Sequence, residues 1–244
     1  IRLSLVGSEM CIRDRHKAKG MVKDVFRTRN MRGLPGNSGI GQVRYPTAGN
    51  ADSEEEAQPF YVNAPFGIVM AHNGNLTNAH ALRQELFSTD HRHTNTESDS
   101  EVLVNIIAHE LEKNTRGIPL TVDNVFDAVA GVHARLKGSY AVISLIAGHG
   151  LLAFRDPYGI RPLCIGRAAD GSVMLASESV ALEGTGFQLE RDVAPGEAVF
   201  VALDGTLHTR QCAPSSQLYP CVFEFVYLAL SLIHISEPTR LRRI

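Results

Sequence analysis

The chain has no tryptophan, and its only four cysteines, Cys11, Cys164, Cys212 and Cys221, include no CxxC pair. That spacing excludes a dithiol redox centre and a paired-cysteine zinc site. No secretory signal leads the sequence, so reduced thiols in a cytoplasm are expected. Charge of one sign is also lacking: 24 basic residues stand against 26 acidic ones, which leaves no electrostatic footprint for nucleic acid. No apolar run is long enough to span a membrane, and there is no internal repeat or low-complexity tract. What remains is a 244-residue chain with 44% hydrophobic content, enough for one substantial core. Its neutral balance suits a small neutral or zwitterionic substrate.

The most informative stretch is FGIVMAHNGNL, Phe66 to Leu76, a β-branched and apolar run that breaks at Asn73-Gly74. It predicts a strand ending in a functional turn. Glycine leaves its N–H unobstructed by a Cβ, and the asparagine adds a side-chain amide donor, so two donors converge where an oxyanion could be held. Asn-Gly between apolar runs is also a strong hairpin signal. No returning strand follows, however: LTNAHALRQELF turns helical, with Leu82, Leu86 and Phe87 at helical spacing after a Thr77/Asn78 cap.

Upstream, HKAKGMVKDVF (His16 to Phe26) and GNSGIGQVRY (Gly36 to Tyr45) predict a turn and helix followed by a strand, with Arg44 at its end. The aperiodic, acidic PTAGNADSEEEAQP (Pro46 to Pro59) predicts a long loop able to close over a ligand. Downstream, SDSEVLVNIIAHELEK puts Leu103, Ile106, Ile107 and Leu111 on one helical face, with Ser98 and Glu101 as a capping box. A further helix is predicted from Val125, Phe126, Val129, Val132 and Leu136. Seven short strands separated by glycine or proline turns then predict an antiparallel meander. Helices grouped early and strands grouped late indicate an α+β fold rather than alternating βαβ units.

IGQVRYPTAG (Ile40 to Gly49), EAQPFYVN (Glu56 to Asn63), AHNGNLTNAH (Ala71 to His80) and SDSE (Ser98 to Glu101) follow one another as in class II glutamine amidotransferases, which the chain resembles from about Lys17 to Ala229. RYPTAG and RDPYGIRPL (Arg155 to Leu163) are most similar to the amidophosphoribosyltransferase family. The resemblance implies a four-layer αββα sandwich of two antiparallel sheets, of the N-terminal-nucleophile hydrolase type, with its first strand missing here. It also implies hydrolysis of glutamine, with ammonia delivered to phosphoribosyl pyrophosphate to give phosphoribosylamine for purine synthesis. Asn73 and Gly74 would form the oxyanion hole. Arg44 would grip the substrate carboxylate with its planar fork, although an arginine at a strand end is also an ordinary surface ion-pair partner. Thr47 would lie near the glutamine. Asp99 would take the substrate ammonium, and at a helix N-terminus it also suits the helix dipole. Arg44, Asn73, Gly74 and Asp99 are therefore expected to line one pocket. His72 reads as a structural histidine. His91 and His93 read as surface residues, since two ligands without a third seldom make a metal site.

Two parts expected from the resemblance are not found. The family's nucleophile is a cysteine at the mature N-terminus, heading a Cys-Gly-Ile strand; Cys11 is followed by Ile-Arg-Asp instead. Nor is there a phosphate-cradling loop for phosphoribosyl pyrophosphate, so the magnesium that the complete enzyme would use belongs to a missing domain and no cofactor is expected in this fragment. Cys221 matches a cluster-ligating position of some relatives, but one cysteine cannot hold a cluster. Residues 1–15 and 230–244 resemble translated adapter read-through and are expected to be extraneous, leaving 16–229 as a partial amidotransferase domain. Arg240, Arg242 and Arg243 are then no nucleic-acid contact. The alternatives are a catalytically silent glutamine-binding module, or another class II amidotransferase, against which RDPYGIRPL speaks. The complete protein is expected to form homo-oligomers.

Overall fold

The computed structural model describes residues 2–7, 15–43, 56–115, 117, 119–214 and 217–224. Its centre is a six-stranded antiparallel sheet that contains the Asn73-Gly74 strand. The strands are β4 (Phe60–Val62), β5 (Ile68–Leu76), β6 (Gly138–Ile146), β7 (Gly150–Arg155), β11 (Glu197–Ala202) and β12 (Leu207–Gln211), in the order β12-β11-β7-β6-β5-β4. Two three-stranded sheets accompany it. One has the order β2-β1-β3 from β1 (Arg2–Gly7), β2 (Arg15–Lys19) and β3 (Gly39–Val43). The other is β10-β8-β9, from β8 (Cys164–Arg167), β9 (Val173–Ala176) and β10 (Gln188–Asp192).

The period of two along each central strand sends alternate side chains to opposite cores. Ile68, Met70, Tyr140, Val142, Leu152, Phe154, Ala198 and Phe200 face the helices α3 (Ala79–Asp90), α4 (Asp99–Thr115) and α5 (Val122–Arg135). Their neighbours Ala141, Ala153 and Val199 face the other way, against Leu163 just before β8 and Ile165 and Leu175 of the β8–β10 sheet. Val69 meets Ile40 of β3 on that same face. The short helix α6 (Ser179–Glu183) packs Leu182 onto Cys164 and Ala176, on the far side of the β8–β10 sheet. Each fully buried leucine, isoleucine or methionine in these layers contributes about 1.5–3 kcal/mol relative to an exposed position.

The predicted helices are all present. Leu103, Ile106, Ile107 and Leu111 are buried on α4, and Val125, Phe126, Val129 and Val132 on α5. The remaining two helices are α1 (Val22–Val25) and α2 (Thr28–Arg32), between β2 and β3.

Four features differ from the sequence prediction. β5 does not end at Asn73-Gly74 but runs on to Leu76, with Gly74 opposite Tyr140 and Leu76 opposite Gly138. The seven late strands are no simple meander, because β8 to β10 leave the central sheet and the chain returns to it at β11. Glu101 does not close a capping box onto Ser98; its carboxylate accepts from the Asn95 and Thr96 N–H groups at 2.8 and 2.7 Å, tying down the approach to α4. Asn78 occupies the N-cap of α3 without capping it, its side chain bridging Arg135 O and Lys137 N instead. In addition, Arg2–Gly7, set aside in the sequence as extraneous, forms a strand between β2 and β3.

Candidate functional site

Among the described residues β4 pairs only with Ile68 to Met70, and the rest of β5 has no strand partner on the side away from β6. Side chains occupy that edge at alternate residues. The His72 N–H donates to Gln58 Oε1 at 2.6 Å, and the His72 carbonyl accepts from Gln58 Nε2 and Gln42 Nε2, both at 3.0 Å. Two residues past Gly74, the Leu76 N–H donates to Asp99 Oδ2 at 2.9 Å. Since every second N–H of a strand points the same way, the Gly74 N–H turns toward this edge as well, between the two donors that Gln58 and Asp99 engage.

Glycine at 74 is a steric requirement. Its φ is +144°, and a Cβ built there would lie 2.0 Å from the Ser139 carbonyl oxygen on β6. The backbone of β5 thus comes closer to β6 than any other residue would permit. Asn73 precedes it, half-buried, and its side-chain amide makes no hydrogen bond among the described residues.

Asp99 is the first residue of α4, where the helix dipole favours its charge. Its bond to Leu76 carries it to the β5 edge, so Asn73, Gly74 and Asp99 are brought to one place. Arg44 and Thr47 lie outside the described residues, just beyond the end of β3. That strand reaches the site through Gln42.

His72 is buried beneath this edge, its Nδ1 3.0 Å from Ser100 Oγ and 3.9 Å from Asp99 Oδ1. Burial is the largest influence on the ring and lowers its pKa below the ordinary histidine value, assisted by Arg161 and opposed by the Asp99 carboxylate and the Ser139 carbonyl. Nε2 has no hydrogen-bond partner among the described residues.

The RDPYGIRPL block supports the site from below. Asp156, fully buried, bonds the Tyr158, Ile160 and Arg161 N–H groups at 3.0–3.1 Å, and the Tyr140 N–H, opposite Gly74, at 3.4 Å. Arg155 spreads its guanidinium over the carbonyls of Arg161, Val193 and Gly159. Arg161 pairs with Glu224.

Sequence reasoning missed Gln42, Gln58 and Ser100. Ser100 carried a signal: with Val104, Ile107 and Leu111 it begins the buried stripe of α4, where a hydroxyl demands a partner. Of the histidines weighed as ligands, His91 ends α3 in a left-handed conformation and His93 meets Phe87 edge-on. Among the described residues no three His, Cys, Asp or Glu side chains are grouped to hold a metal ion, and no helix is long and apolar enough to cross a membrane. A concavity bordered by Pro65, Phe66, Glu112 and Lys113 lies at the opposite end of β5 and shares no residue with the site.

Known proteins resemble the chain in sequence and fold. Residues 46–184 match the family described as glutamine amidotransferase domain. The amidophosphoribosyltransferase of Escherichia coli is 55% identical over 228 residues, 92% of this chain and 45% of that protein. Its Pseudomonas aeruginosa counterpart is 55% identical over 216 residues, 87% of this chain and 43% of that protein. The chain therefore spans somewhat less than half the length of these relatives. The solved structure of glutamine phosphoribosylpyrophosphate amidotransferase from B. subtilis, complexed with ADP and GMP, superposes with a TM-score of 0.77 at 29% identity, covering 93% of this chain and 46% of that one. A strand edge held open between a glutamine clamp and a helix-start carboxylate, the match over residues 46–184 and this similarity agree: the chain belongs to the family of glutamine amidotransferase domains and is similar to the amino-terminal part of amidophosphoribosyltransferases.

Proposed function

We propose that this chain is the glutamine-hydrolysing half of an amidophosphoribosyltransferase, with the α+β layers forming an αββα sandwich of the N-terminal-nucleophile hydrolase type. The observation that supports the reading best is the β5 edge, where the N–H groups of His72 and Leu76, on either side of Gly74, are engaged by Gln58 and Asp99. On this reading the Gly74 N–H and the Asn73 amide stabilise the oxyanion formed when the glutamine side-chain carbonyl is attacked. Asp99 takes the α-ammonium, and Arg44, with Thr47 beside it, takes the α-carboxylate. The ammonia released would pass to phosphoribosyl pyrophosphate in a further, magnesium-using domain, giving phosphoribosylamine in a cytoplasmic homo-oligomer.

The attacking group on this reading is a cysteine at the head of the mature enzyme, and residues 1–15 and 230–244 do not belong to the natural protein. Of the described cysteines, Cys164 is buried with its thiol pushed up to about 12 by desolvation, a poor nucleophile in a packed site. The test is alkylation with a glutamine-analogue electrophile, with the label mapped by mass spectrometry, beside a chain given a Met-Cys-Gly start. The reading expects labelling of the added cysteine only. Stoichiometric labelling of Cys11 with glutamate release would overturn it, and saturable glutamine binding with no labelling of either chain would favour a silent binding module.

A further inference from the structure

The hydrogen bonds around His72 determine where its proton sits. Gln58 comes first: a backbone N–H can only donate, so the 2.6 Å contact from His72 N fixes the Gln58 oxygen and leaves its Nε2 as the donor to Ser100 Oγ, at 3.0 Å. Having accepted from Gln58, Ser100 has one proton to give, and two acceptors compete for it. Asp99 Oδ1 lies 3.4 Å away, well outside the roughly 2.5–2.7 Å of a hydroxyl-to-carboxylate bond, whereas His72 Nδ1 lies at 3.0 Å. The hydroxyl therefore donates to Nδ1, and the ring carries its proton on Nε2. That nitrogen borders the room left by the missing Cβ of Gly74, where a Cβ would stand 2.9 Å from Nε2 and 2.0 Å from the Ser139 oxygen. The opposite tautomer would bury a bare lone pair against that oxygen.

We propose that Ser100 and Gln58 are positioning residues that hold His72 as its neutral Nε2–H tautomer, and so leave Asp99 Oδ1 open to the ammonium group of a ligand. Only the ligand's identity rests on the glutamine reading. Asp99 Oδ2 accepts from Leu76, and a hydroxyl turned to Oδ1 would take up part of that oxygen's accepting capacity. The charged groups that act on the ring are Asp99 from α4 and Arg161 from the loop after β7.

The experiment uses the full chain with ¹⁵N-labelled histidine and long-range proton–nitrogen correlation, with the His72 ring assigned through its own backbone. The expected spectrum shows Nδ1 as an unprotonated acceptor and Nε2 protonated, unchanged between pH 8 and pH 6. A protonated Nδ1, or a ring that titrates at the ordinary histidine value, overturns the proposal from the wild-type chain alone, whatever becomes of any variant. Ser100→Ala is expected to lose the single-tautomer pattern, and Ser100→Thr to keep it. A Ser100→Ala chain with an unchanged pattern removes Ser100 from the role. If the wild-type tautomer is as expected but glutamine does not bind, the glutamine reading fails and the tautomer assignment stands.

Discussion

Asp99 Oδ2 accepts from the Leu76 N–H at 2.9 Å, so the first residue of α4 is fastened to the end of β5, two residues past Gly74. A helix-start carboxylate and a strand-edge donor thus move as one unit. Asp99→Asn should preserve the fold, since an amide oxygen still accepts from Leu76, with a loss below about 1 kcal/mol. It should weaken binding of a ligand ammonium by at least tenfold, about 1.4 kcal/mol. Calorimetric titration with L-glutamine, beside urea unfolding of the same sample, separates the two; equal affinity in both chains would remove Asp99 from the binding role.

Gly74→Ala is expected to cost about 2 kcal/mol or more, because the new Cβ meets the Ser139 oxygen while φ stays in a region that L-residues avoid. The strands must part there, and the donor at residue 74 shifts with them. Urea denaturation reads the loss. An unchanged midpoint would mean that β5 and β6 are not so closely apposed.

Arg155 distributes one guanidinium over three carbonyls, and lysine cannot reproduce that fork. Arg155→Lys should therefore strand buried acceptors at a cost of about 2–3 kcal/mol. Thermal unfolding should show a drop of several degrees; a drop as small as that of an exposed arginine substitution would contradict the assignment.

His133 is buried against Tyr140 and Phe154, and burial lowers its pKa from 6.5 to about 4. The native ring is neutral between these values while the unfolded ring takes up a proton. Its contribution is therefore complete above pH 6.5 and is lost as the pH falls toward 4, up to about 3 kcal/mol. Urea midpoints measured at pH 7.5 and pH 5 should converge in His133→Phe relative to the parent chain. Identical pH slopes would show that His133 is not buried neutral.

Much of the fold was legible because it rests on local periodicity. Leu103, Ile106, Ile107 and Leu111 mark one face of α4 at helical spacing, and the seven late strands are short stretches set off by turn residues. The division of those strands between sheets was not legible, since pairing depends on partners distant in sequence. Asn73-Gly74 was read as a strand end, whereas the strand continues through it with Gly74 at positive φ. A glycine with positive φ usually breaks a strand; here nine residues of β6 hold β5 in register across it. Asp99 was singled out from its motif and stands at the start of α4, whereas the Gln58 and Ser100 contacts to His72 join segments 14 and 28 residues away. Nothing in local spacing announces such bonds. Arg44 and Thr47, the carboxylate grip implied by the resemblance, fall outside the described residues.

If the edge of β5 at Gly74 and Asp99 receives glutamine, titrating the ¹⁵N-labelled chain with L-glutamine should move its amide spectrum there. Saturable shifts of the Asn73, Gly74 and Leu76 amides are expected, absent with D-glutamine and lost in Asp99→Asn, while amides near Phe66 at the other end of the strand stay still. Gly74 and Leu76 amides that do not move at saturating L-glutamine, or that move equally with the D-enantiomer, would contradict that reading.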